Sequence, residues 1–68
     1  MNEETTEKVV ALLTRIGMMA EDLSAIALGA AGRSNEELAG LVSEIQRMVL
    51  AMKVLGEEVV AIAFIGHP

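Results

Sequence analysis

Apolar residues recur along this chain at alternating steps of three and four, in two separate runs. Val9, Leu12, Ile16, Met19, Leu23, Ile26 and Ala30 form the first. Leu38, Leu41, Ile45, Met48, Met52, Leu55, Val59 and Ile62 form the second. This spacing lines up one face of a helix, and a register held over more than three heptads is the signature of helices that pair. In heptad terms Val9, Ile16, Leu23 and Ala30, then Leu38, Ile45, Met52 and Val59, take position a. Leu12, Met19 and Ile26, then Leu41, Met48, Leu55 and Ile62, take position d.

Start and stop signals bracket both runs. Asn2 suits an N-cap, with Glu3 and Glu4 placing negative charge at the positive end of the helix dipole. Ser34 followed by Glu37 fits a capping box, in which hydroxyl and carboxylate each satisfy the other residue's amide. Gly32 is the natural terminator of the first helix; Gly66 and Pro68 terminate the second. The sequence therefore predicts an all-α chain with helix 1 over about 3–31 and helix 2 over about 35–65. The second would be roughly 45 Å long at 1.5 Å per residue. The register crosses Gly17 and Gly56 without a slip, so both helices read as continuous. A break at Gly17 would instead give a three-helix bundle.

Only Gly32-Arg33 separates the two predicted helices from cap to cap, and so short a connection forces antiparallel neighbours. Folding there sets Leu23 against Ile45, Met19 against Met48 or Val49, Ile16 against Met52, Leu12 against Leu55, and Val9 against Val59. Near the tip, Ala27, Ala30 and Ala31 face Ala39 and Gly40, small residues that permit close approach. The whole chain, 1–68, reads as one helical-hairpin domain.

Two helices share one seam and cannot enclose a core, so the flanking columns decide what else is needed. The g edge is mostly polar, with Lys8, Arg15, Asp22, Glu37, Glu44 and Glu58, and the register sets Lys8 against Glu58 as a surface ion pair. The e edge reads Leu13, Ala20 and Ala27 on helix 1 and Val42, Val49, Gly56 and Ala63 on helix 2. An edge this apolar over its whole length is expected to be covered. A second hairpin packed there gives a four-helix bundle of two chains, or a larger homo-oligomer. Leu50, Val54, Ala61, Phe64 and Ile65 lie outside both seam and e edge, an apolar patch that marks an interaction surface toward further copies, another protein or a membrane surface.

Composition narrows the chemistry. Hydrophobic residues make up 53% of the chain with Phe64 the one aromatic, so any core is Leu, Ile, Val, Met and Ala. Five Lys or Arg against ten Asp or Glu leave a net charge of −5, without the basic footprint or stacking set that nucleic acids select. There is no cysteine. The polar, acidic start MNEETTEK is unlike a secretory signal, and the uncharged run from Val59 to Gly66 falls far short of the ~20 residues a membrane span needs. A cytoplasmic chain without a transmembrane span is the expectation.

Catalytic and metal-binding readings fare poorly. A di-iron bundle needs Glu-x-x-His pairs facing inward, whereas His67 lies beyond the predicted helix end and no Glu occupies a or d. Met19, Met48 and Met52 sit in the seam as core filler. The pairs Glu36-Glu37 and Glu57-Glu58 project about 100° apart on a helix and have no nucleophile beside them. Gly29-Ala30-Ala31-Gly32 follows a helix rather than a strand and lacks the Gly-Lys-Ser/Thr ending of a phosphate loop. No cofactor, metal or catalytic constellation is expected. The reading is a non-enzymatic structural or interaction protein that homo-oligomerises. The alternatives are a small-molecule binder with a pocket between hairpins at Gly17, Gly40 or Gly56, and a peripheral membrane protein. Glu57 and Glu58 beside Lys53 weigh against the last.

Overall fold

The computed structural model describes residues 2–65, the last by its backbone alone. Two α-helices account for most of it: α1, Glu3–Leu28, and α2, Asn35–Val60. They pack along each other as a hairpin, and the segment following α2 returns to contact α1. Gly66, His67 and Pro68, the residues expected to end helix 2 and follow it, lie outside the described residues, as does Met1.

Both helix starts are built by local hydrogen bonds. The Thr5 amide donates to Asn2 Oδ1 at 2.8 Å. At the second start the Glu37 amide donates to Ser34 Oγ and the Ser34 amide donates to Glu37 Oε1, each at 3.2 Å. Two amides that the helix ladder leaves unpaired are thereby satisfied reciprocally. Arg33 Nη1 adds a third contact, 3.0 Å from Glu37 Oε2. Together the Ser34 amide, the Arg33 guanidinium and the Ser34 hydroxyl, in that order of effect, hold the Glu37 carboxyl below its ordinary range.

Helix 1 ends earlier than its periodicity predicts, at Leu28 rather than near residue 31. Gly29 caps it, its amide reaching the carbonyls of Ala25 and Ile26, both at 3.1 Å. The chain then tightens: the Ala30 amide donates to the Ala27 carbonyl and the Arg33 amide to the Ala30 carbonyl, both at 3.2 Å. The first of these three-residue bonds satisfies a carbonyl that α1 leaves open, and Arg33 Nε donates to the carbonyl of the cap residue Gly29 at 3.1 Å. Gly32 makes the reversal at φ 80°, a left-handed conformation that disfavours any side chain. The connection is thus longer than Gly32-Arg33, and the hairpin survives because both ends of the turn remain tied to their helices.

α1 runs through Gly17 and α2 through Gly56, so a three-helix arrangement does not form. Each glycine costs about 1 kcal/mol against alanine, which continuous seam packing on either side outweighs. After Val60 the chain winds on as one π-helical turn, Ala61–Ile65. That wider turn carries an extra residue per winding and swings Ile62, Ala63 and Phe64 away from strict heptad positions.

The seam follows the heptad pattern closely. Leu12 and Leu55, the pair the register sets face to face, are the most buried residues, at 9% and 8% exposure. The other a and d residues, from Val9 through Ile62, are half-buried. The expected Lys8–Glu58 pair is not made: Lys8 Nζ lies 3.6 Å from Glu4 Oε1, one turn back on its own helix. A partner at i−4 needs no closure across the seam, which makes it the easier choice for an exposed lysine.

Candidate interaction surface

The hairpin measures 52 × 16 × 10 Å, no thicker than a single layer of helices. Its radius of gyration is 15.7 Å, against about 11 Å for a compact domain of this length. Domains are normally built from two packed layers. Among the described residues no side chain is fully buried.

Accessible area gives this a magnitude. The chain exposes 5125 Å². A compact monomer of its mass exposes about 4,100 Å², leaving an excess of roughly 1,000 Å². A standard protein interface takes about 800 Å² from each partner.

Six of the ten large apolar residues exposed among the described residues fall on the two surfaces singled out from the sequence. Along the e edge Leu13, Val42 and Val49 are exposed, as are Ala20 and Ala27, while Gly56 and Ala63 are half-buried. The antiparallel register sets large against small there: Leu13 at the level of Gly56, Val49 beside Ala20, Val42 beside Ala27. A methyl group built on Gly56 would meet nothing within 4 Å, so the edge is notched as well as apolar. On the outer face of α2 and the turn beyond it, Leu50 is 61% and Phe64 77% exposed, and Val54 and Ala61 are exposed with them. The Ile65 side chain lies outside what is described. Val10, Met18, Leu28 and Val60 are exposed apolar residues on other columns.

One feature of the g side departs from the sequence reading. An open groove of about 460 Å³ runs between Arg15 and Arg47, floored by Met19, Leu50, Ala51, Val54 and Leu55. The g edge is polar over much of its length, but Ala51 occupies that column between Glu44 and Glu58 and opens an apolar gap. Ala51 was the available signal: a small apolar residue between two glutamates of the same column. A second hollow of about 230 Å³ lies nearby, with Lys8 and Glu58 among its walls. A third, of about 370 Å³, includes Gly40, Arg33 and Glu37.

The polar chemistry around these surfaces is local. The side-chain hydrogen bonds in view are exposed contacts three or four residues apart, serving caps and helix surfaces. Among the described residues no group of three or more His, Cys, Asp or Glu is placed to hold a metal ion. No described helix is long and apolar enough to cross a membrane. What the arrangement offers chemically is apolar area in two strips, one notched and one flanked by charge. The chain matches no protein-family model, no curated protein and no solved structure.

Proposed function

We propose that this chain is a structural or interaction protein: a helical hairpin that homo-oligomerises through its e edge and presents the outer face of α2 for further association. The observation that carries the reading is the single-layer shape with its surplus of accessible surface. A second hairpin laid on Leu13, Ala20, Ala27, Val42, Val49, Gly56 and Ala63 supplies the missing layer, and large residues of one copy have the small residues of the other to fill. The driving force is removal of apolar area from water, roughly 25 cal/mol per Å² before the costs of association are subtracted.

The test is Val49→Glu. Val49 is exposed in the hairpin, so the variant is expected to keep wild-type helicity by circular dichroism. A carboxylate in a dry interface strongly opposes association, and the mass by light scattering is expected to fall. A Val49→Glu protein with wild-type mass would remove the e edge from the account.

A further inference from the structure

The outer face of α2 is self-complementary, and we infer that it pairs with the same face of a second copy, antiparallel, about a two-fold axis at the level of Met52. The inference rests on the reading of the chain as self-associating, and it names the partner of the face that reading left open.

Arg47, Leu50, Val54 and Glu57 lie three, four and three residues apart, on the side of α2 opposite the seam. That order is symmetric about residue 52. When two α2 helices run antiparallel about that point, Arg47 faces Glu57 of the second copy, Leu50 faces its Val54, and both contacts occur twice. A two-fold interface demands this property, because each residue must suit the one that the symmetry returns to it.

The structure leaves these groups available. The side chains of Arg47 and Glu57 make no ion pair or hydrogen bond with any described residue. Leu50 and Val54 are exposed and line the groove between Arg15 and Arg47. Extending the pairing outward sets Ala61 against Ser43. Apolar therefore meets apolar at the centre of the face, and cation meets anion at both ends. Symmetry also brings Lys53 near its own copy and Glu44 near Glu58. Both encounters fall on the rim columns, where water and salt screen them, and Arg15 stands on the glutamate side.

The test uses charge reversal on the full chain. Arg47→Glu and Glu57→Arg each place like charges opposite each other at both ends of the contact. Each variant alone is expected to associate at least about tenfold more weakly than wild type in light scattering across concentration. Mixed in equal amounts, the two restore opposite charges at both ends, and the mass is expected to recover. Recovery on mixing cannot arise from chains that failed to fold. Single variants with wild-type mass, or a mixture that stays dissociated, overturn the inference. If these results come with a Val49→Glu protein that dissociates, the e-edge reading stands and only the outer-face pairing falls. A wild-type monomer at every concentration overturns both.

Discussion

Leu55 and Leu50 are the same residue on the same helix, five positions apart, yet Leu55 is 8% exposed and Leu50 61%. Leu12 and Leu13 repeat the contrast on α1, at 9% and 52%. Hydrophobicity alone does not decide burial here; the column does. α1 supplies a cover for the a and d columns of α2 and has nothing to reach around to the e column or the outer face. The hairpin therefore divides its apolar residues into a set buried between its helices and a set left exposed, and the two can be perturbed separately.

The largest expected effect comes from opening the seam. Leu55→Ala removes a buried leucine at the most enclosed layer and should cost about 3 kcal/mol, enough to unfold much of the hairpin in thermal melts followed by circular dichroism. Leu50→Ala should leave the stability of the hairpin within about 0.5 kcal/mol of wild type while weakening association. Equal losses of helicity in the two variants would erase the distinction. The turn comes next: Gly32→Ala places a side chain at φ 80° and should cost about 1–2 kcal/mol in the same melts.

A gain of similar size should come from Gly17→Ala. It lies on an exposed column with nothing within 4 Å of an added methyl group, and it should stabilise α1 by about 1 kcal/mol without changing the mass. The smallest effect concerns acid. The Glu37 carboxyl is held below its ordinary range in the fold. Its ionic contribution is therefore complete above that range and is lost as pH falls through the lowered folded value. The difference in melting temperature between wild type and Glu37→Ala should be largest near neutral pH and shrink on acidification.

Much of the fold was legible in the sequence because the seam obeys one rule over its whole length. Residues from Val9 to Ile62 at a and d are buried or half-buried, and Ser34, Glu37 and Asn2 cap as their chemistry suggests. The early end of α1 was harder to see. Gly29 and Gly32 are both terminators, and apolar Ala30 prolongs the periodicity past the first of them. A periodic pattern also cannot register the extra residue of a π turn, so Ala61–Ile65 read as a plain continuation. The candidate surfaces were legible as columns, since e-edge and outer-face residues share a side of their helices. The groove beside Ala51 needed the relative positions of Arg15 on α1 and Arg47 on α2, which belong to the packed pair rather than to either helix.

The central claim is that the hairpin is half of a layered assembly, and it is tested most directly by the mass of the wild-type protein in solution. Size exclusion with light scattering over a hundredfold range of concentration should give a dimer or larger species that persists on dilution. A stable, helical monomer throughout that range would contradict the account, and the apolar e edge would then have to be explained without a second copy.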